Sequence, residues 1–283
     1  MAELVPRIAG LRERLARERN AGHNVGLVPT MGALHLGHRR LLEIARAENG
    51  IVVASIFVNP TQFNRQDDLD RYPRTFDQDL AACREAGVDF VFAPTPAEMY
   101  PQPQITWVEA PPLAEHLCGP GRPGHFRGAA TVVMKLLQIV QPDRAYFGEK
   151  DAQQLAVIRR MVRDLNVPTA IVPVATVRES DGLAMSSRNA LLSSAERRQA
   201  VVLSRALFAA RDLVRSGERS AASVRSAIDP LLKGVEVEYF SLADPETLAP
   251  VEHIADSVLI AAAIWIGGTR LIDNVTVALQ RTR

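Results

Sequence analysis

Cysteine is nearly absent from this sequence: Cys83 and Cys118 are its only two thiols, too few and too isolated for a disulfide framework. That scarcity fits a reducing compartment, and a cytoplasmic location is expected. A surplus of either charge is also missing. Lys and Arg total 33 against 32 Asp and Glu, a net charge of +1, so net electrostatics give no reason to expect a nucleic-acid partner. No stretch approaches the roughly 18 apolar residues of a membrane span, and the start, Met1-Ala2-Glu3-Leu4-Val5-Pro6-Arg7, lacks an apolar core of signal-peptide length. A membrane role is therefore not expected. Internal repeats and low-complexity segments are lacking as well. What is present is 47% hydrophobic and 23% charged residues over 283 positions, enough to bury a sizeable core in one large or two smaller domains.

The densest stretch is Val28-Pro29-Thr30-Met31-Gly32-Ala33-Leu34-His35-Leu36-Gly37-His38. Val25 to Val28 form a short apolar run suited to a buried parallel strand, and from Gly37 onward Leu41, Leu42, Ile44 and Ala45 recur at helical spacing. The pattern is strand, glycine loop, helix. Such a loop can aim free backbone N–H groups and the positive end of a helix dipole at an anion. His35 and His38, three apart, would project from one side of the first helical turn, where they could donate to phosphate oxygens. Spacing alone leaves two other readings open, a metal half-site and an ordinary helix N-terminus. Of the other histidines, His116 and His125 sit in no Cys/His cluster, so no metal ligand is assigned.

The rest of the chain alternates helix and strand. Ile8 to Arg19 reads as an amphipathic helix, and Ile51 to Val58 as a β-branched strand covered on both faces, which closes a first βαβ unit. Asn59 to Gln62 follow that strand, where amides are placed to read a polar ligand, although turn chemistry accounts equally for Asn59-Pro60. Thr75 is a candidate N-cap for a helix from about Phe76 to Ala86, and Val88 to Phe92 is a further strand. The glycines and prolines around Arg122 and His125 suggest a mobile loop before a helix over Thr131 to Val140. Ala145 to Gly148 then ends a strand just before Glu149, Lys150 and Asp151, ahead of a helix reaching about Asp164. Lys150 and Asp151 could be a surface pair, or could reach a nucleotide's phosphates and ribose. Ile171 to Val177 is the last strand of this half. Beyond Asn189 come two amphipathic helices, Ser194 to Ser216 and Ser220 to Leu232, and strands over Val235 to Leu242, Val258 to Ile266 and Leu271 to Val275.

His35-Leu36-Gly37-His38 is similar to the HIGH motif of the class I aminoacyl-tRNA synthetase and nucleotidyltransferase superfamily, and Met185-Ser186-Ser187-Arg188 resembles its KMSKS loop, with arginine for the second lysine. The longer Val28–His38 string, the Asn59–Gln62 and Asp67–Thr75 blocks and Gly148-Glu149-Lys150-Asp151-Ala152-Gln153-Gln154 resemble, in order, the pantothenate synthetase (pantoate–β-alanine ligase) family. The match runs from Val28 to about Asn189.

This resemblance implies an α/β fold: a Rossmann-like, doubly wound parallel sheet over residues 1–177 that binds ATP and pantoate, and a smaller C-terminal α+β lid domain over 178–283. It implies an ATP-dependent acid–amine ligase. Pantoate and ATP would form a pantoyl adenylate with release of pyrophosphate, and β-alanine would then displace AMP. Carried over residue by residue, ATP contacts fall on Met31, Gly32, Ala33, Leu34, His35, Leu36, Gly37, His38, Gly148, Glu149, Lys150, Asp151, Val177, Met185, Ser186, Ser187 and Arg188. Among them His35, His38, Lys150, Ser186, Ser187 and Arg188 would stabilise phosphates. Asn59, Gln62 and Gln154 would hold pantoate, with Gln62 also close to β-alanine, and Arg122 and His125 would lie in a loop near the active site. Where the family has an acidic pair associated with its metal region, this chain reads Gln78-Asp79, so Mg²⁺ is expected to be bound mainly through ATP phosphates. A homodimer is what the family implies. Two alternatives stand beside it: a nucleotidyltransferase acting on a phosphorylated substrate, and a nucleotide-binding regulatory module, which would not explain a spaced pair of phosphate clamps beside an amide-lined pocket.

Overall fold

The structure, a computed structural model, describes residues 2–279. Its chain divides into two compact units. The first runs to Ala110 and includes Arg122–Glu149 and Val157–Ala175; the second takes Pro111–Gly121, Lys150–Ala156 and the chain from Thr176 onward. In chain order the elements are β1 (Glu3–Val5), α1 (Ile8–Asn20), β2 (Val25–Thr30), α2 (Leu36–Glu48), β3 (Ile51–Ile56), α3 (Gln66–Asp70), α4 (Phe76–Glu85), β4 (Phe90–Phe92), α5 (Pro96–Met99), α6 (Pro111–Ala114), α7 (His125–Val140), β5 (Arg144–Gly148), α8 (Ala152–Asp164) and β6 (Ala170–Val174).

In the first unit the six strands pair in parallel in the order β1-β4-β3-β2-β5-β6. Every residue of β3 is buried, and Val25, Leu27 and Val28 of β2 are too; strands covered on both faces need no apolar–polar alternation. Val28, Leu42, Ala45, Val52, Ala54, Cys83 and Val91 form one core cluster. Chain order reverses at β2, with β3, β4 and β1 to one side and β5 and β6 to the other. This is the Rossmann-like, doubly wound arrangement, a class in which ligands bind beyond the carboxyl ends of the strands at the reversal.

The second unit contains a three-stranded antiparallel sheet, β7 (Glu236–Ala243), β8 (Ser257–Ile266) and β9 (Thr269–Ala278), in the order β7-β8-β9. Helix α9 (Ser194–Arg215) opens on a reciprocal cap between Ser193 and Glu196, and α10 (Ala221–Ile228) opens on Ser220. Leu203, Leu207, Ala210, Val224, Phe240, Ile260, Ile264 and Val277 share its core. Among the described residues no helix is long and apolar enough to cross a membrane.

One strand is added and two local expectations change. Glu3–Val5 pairs with β4 as an edge strand, too short to show a periodicity. The last strand of the first sheet stops at Val174, leaving residues 175–177 outside the ladder. Helix α7 begins at His125 rather than Thr131, directly after Gly124 with φ +77°, because this glycine, one of those that suggest a loop there, supplies the helix start. At Gly128 a Cβ would lie 2.2 Å from the Thr61 carbonyl oxygen. Alanine normally favours a helix interior over glycine by about 1 kcal/mol, yet Gly128→Ala is expected to destabilise by about 1–3 kcal/mol through overpacking. Thermal unfolding checks the sign, and an unchanged or raised Tm would refute this packing.

Candidate active site

In the first unit the turn between β2 and α2 is held by its own side chains. The Thr30 hydroxyl donates to the Ser55 carbonyl at 2.7 Å and accepts from Gly32 N–H at 3.2 Å. Gly32 and Ala33 both have positive φ, +82° and +51°, which points successive N–H groups to one side as in an anion-binding nest. The anion there is internal. Asp79, 2% exposed on α4, accepts from Ala33 N–H at 2.9 Å and from Leu34 N–H at 2.7 Å, and the Thr75 hydroxyl donates to its carboxylate at 3.2 Å. A Cβ on Gly32 would stand 2.9 Å from Asp79 Oδ2, so glycine is required both for φ and for this approach. The expectation of free amides at Gly32, Ala33 and Leu34 is thereby corrected: their N–H groups are engaged within the protein.

The histidines are ordered by the same logic. His35 is the N-cap of α2 and its Nδ1 accepts from Gly37 N–H at 3.1 Å, while His38 Nδ1 accepts from His35 N–H at 3.3 Å. The ring centroids lie 4.1 Å apart. An imidazole that accepts at Nδ1 carries its proton on Nε2 when neutral, so backbone amides assign both rings the Nε2–H tautomer.

Beyond β3, Asn59 and Gln62 are buried, 1% and 6% exposed, on a single 3₁₀ turn over Pro60–Gln62. Asn59 Nδ2 donates to Gln62 Oε1 at 3.1 Å and to the Gly128 carbonyl at 3.2 Å; its Oδ1 accepts from the hydroxyls of Tyr100 at 2.8 Å and Thr61 at 3.0 Å. All four hydrogen-bonding positions of that amide are thus occupied. Gln62 Nε2 instead rests 2.8 Å from the Met31 sulfur, a weak acceptor. Of the two amides, Gln62 can therefore turn its N–H groups to a ligand with less loss. His125, expected in a mobile loop, is buried, donates from Nδ1 to the Gln62 carbonyl at 2.8 Å and accepts at Nε2 from Arg122 at 3.0 Å. Sequence reasoning missed Tyr100, which carries no local motif; it placed Thr75 as an N-cap and Met31 at the nucleotide, and only the structure gives Thr75 the Asp79 carboxylate and the Met31 thioether Gln62 as partners.

In the second unit Met185 N–H donates to the Val177 carbonyl at 2.9 Å, and Arg178 bridges Ala184, so residues 177–185 form a tight hairpin leading into Ser186. Ser186 caps the 3₁₀ turn Ser187–Leu191 by accepting from Arg188 N–H at 3.2 Å. Gln153 is buried, donates to the Leu113 and His116 carbonyls at 2.8 and 2.7 Å and accepts from Cys118 N–H at 2.9 Å, which ties 111–121 to the start of α8. Gln154, its neighbour, stays half-exposed.

A model of the pantoate–beta-alanine ligase family matches residues 3–276. The chain belongs to this family. Over 281 residues it is 52% identical to the pantothenate synthetase of Moorella thermoacetica, covering 98% of this chain and 99% of the relative. The solved pantothenate synthetase of Thermus thermophilus superposes with a TM-score of 0.91 at 48% identity, covering 97% of this chain and 99% of that one. The pantoate–β-alanine ligase of Francisella tularensis, solved with β-γ ATP and β-alanine, has a TM-score of 0.78 at 33% identity, with 97% of each chain covered.

In this ligase-family chain both Asp79 oxygens are committed to Ala33, Leu34 and Thr75. Among the described residues no three His, Cys, Asp or Glu side chains are grouped to hold a metal. At Gly148 a Cβ would meet nothing within 4 Å, so the protein's own packing does not demand glycine at that strand end. Neither thiol is an activated nucleophile by position: Cys83 is buried and pushed up to about 12 by burial and the Asp79 carboxylate, and Cys118 is buried 3.1 Å from the Tyr239 hydroxyl. Asp79→Asn replaces one acceptor of the β2–α2 turn by a donor facing an N–H group. A loss of about 1–3 kcal/mol is expected from that unmade bond, read by denaturant unfolding; a variant as stable as the parent would refute the turn's dependence on the carboxylate.

Proposed function

We propose that this chain condenses (R)-pantoate with β-alanine, using ATP, to give pantothenate, AMP and pyrophosphate through a pantoyl adenylate. The observation that supports the reading is the contact between Met31 and Gln62, which joins the Asn59–Gln62 turn to the turn that orders the two Nε2–H imidazoles. A site for a small polar acid thus adjoins donors suited to a phosphate.

In the first step a pantoate carboxylate oxygen attacks the α-phosphorus of ATP, forming the anhydride bond as the bond to pyrophosphate breaks. His35 and His38 donate from Nε2 to phosphate oxygens on which charge builds. Lys150, Ser186, Ser187 and Arg188 take charge on the leaving pyrophosphate, Arg188 through its guanidinium fork. Gly148, Asp151, Val177 and Met185 position ribose and adenine, while Glu149, Met31, Gly32, Ala33, Leu34, Leu36 and Gly37 line the ATP site. Gln62 and Gln154 orient pantoate, and Asn59 does so only by exchanging one of its present partners. Mg²⁺ would be held mainly by the ATP phosphates and would supply charge neutralisation there.

In the second step the neutral amine of β-alanine attacks the acyl carbon, the bond from that carbon to the anhydride oxygen breaks, and AMP departs with that oxygen while the nitrogen releases one proton. An acyl adenylate already has a good leaving group, so proximity and exclusion of water suffice without a covalent enzyme intermediate. The buried, high-pKa Cys83 and the buried Cys118 agree with that route. A cytoplasmic homodimer that binds neither nucleic acid nor membrane completes the proposal.

The test is ATP–pyrophosphate exchange that requires pantoate. Lys150→Ala is expected to slow exchange about a hundredfold, the scale for one lost preorganised stabiliser, while keeping a native Tm; near-normal exchange would return Lys150 to the protein surface. Gln62→Ala is expected to raise the KM for pantoate about tenfold or more and to leave ATP binding unchanged. Collapse of ATP binding with pantoate binding intact would mean the pocket is assigned backwards.

A further inference from the structure

Two neighbouring polar residues in the second unit lie outside every motif of the site. Asp273 and Asn274 are consecutive on β9, where successive side chains point to opposite faces, yet both are buried, 2% and 8% exposed. Asp273 makes a two-pronged ion pair with Arg178, at 2.6 Å and 3.0 Å. The same guanidinium donates to the Gly182 carbonyl at 3.1 Å and the Asn274 carbonyl at 3.3 Å, and it stacks 4.9 Å from the Phe208 ring. Arg178 therefore grips both sides of the hairpin that delivers Met185–Arg188. On the other face of the strand, Asn274 Nδ2 donates to the carbonyl oxygen of Lys150 at 2.8 Å. One dipeptide thus holds two segments distant in sequence, and each carries a cation.

We infer that Asp273-Asn274 is a positioning pair that sets Lys150 and the Ser186–Arg188 loop at one fixed spacing for the departing pyrophosphate. The inference rests on the proposed role of those residues toward phosphates. The chemistry favours a rigid coupling. A buried carboxylate paired with a half-buried guanidinium contributes little net stability against a hydrophobic pair of similar volume, but it restricts the geometry. Arg178 uses three separate acceptors to fix the hairpin, and the Asn274 amide stops the chain at Lys150 from sliding along its own axis. Neither residue of the pair needs to touch substrate. Their effect passes through the position of the backbone that bears Lys150 and Ser186, and a misplacement of about 1 Å can cost on the order of a hundredfold in rate.

A double-mutant cycle on pantoate-dependent ATP–pyrophosphate exchange tests this, with Asn274→Ala, Lys150→Ala and their combination. Asn274→Ala is expected to slow exchange tenfold or more with the KM for pantoate unchanged, and capture of supplied pantoyl adenylate by β-alanine should keep its parent rate. Because Asn274 acts through Lys150, the double variant should be no slower than Lys150→Ala alone. Ser220→Ala, which removes a helix cap in the same unit, supplies a destabilised control that keeps exchange. Asn274→Ser retains a polar group and serves if the alanine variant does not fold. Parent-level exchange in Lys150→Ala would defeat the reading of Lys150 itself. A large loss there, combined with fully multiplicative losses in the double variant or a KM for pantoate that rises with Asn274→Ala, would overturn the positioning role and leave Lys150 in place.

Discussion

A carboxylate buried without partners is among the most destabilising groups a fold can carry, and Asp79 escapes that penalty only because the β2–α2 turn supplies two N–H groups and Thr75 a hydroxyl. The dependence runs both ways. Gly32 and Ala33 hold positive φ, a conformation that for alanine is sparsely populated and persists where surrounding contacts over-determine it. Asp79 lies in the first turn of α4, where the helix dipole favours negative charge. Strand end, turn and two helices are therefore fixed together, and the entry angle of α2 with its two imidazoles follows.

The same pairing rule orders the amide pocket. Asn59 makes all its bonds inside the protein, to Gln62, Gly128, Tyr100 and Thr61, and His125 fixes the Gln62 backbone. Gln62 is left with a thioether for its donor. The network is saturated everywhere except at one amide, so Gln62 is the member that can exchange its partner at least loss. The absence of a Cβ at Gly128 is what permits α7 to come this close.

In the second unit the polar interior has another purpose. Its sheet is apolar over most of β8, and the interruption at Asp273 and Asn274 adds specificity of placement more than stability. Arg178 is the hinge between that interior and the surface hairpin, since its guanidinium reaches a side-chain carboxylate and two backbone carbonyls at once. Glu179 and Asp181 of the hairpin are held from outside by Arg197, at 2.7 and 2.9 Å, which pushes the Asp181 carboxyl below its ordinary value.

By itself the sequence determined the βαβ order, the apolar strands at Val25, Ile51 and Ile171, the helix start beside His35, and the family, because these depend on local periodicity and on contiguous strings such as Val28–His38. It also located the polar positions after the strand ends. Tertiary structure alone decided what those positions bond to. Whether a loop N–H faces a ligand or Asp79, 45 or 46 positions away, whether His125 belongs to a loop or to a buried helix start, and whether Asp273-Asn274 grips Lys150 and Arg178 are pairings between distant residues. Each buried donor must find an acceptor somewhere, but a one-dimensional pattern does not carry the distances that say which, and those distances exist only after the sheet order and the packing of helices on it have been set.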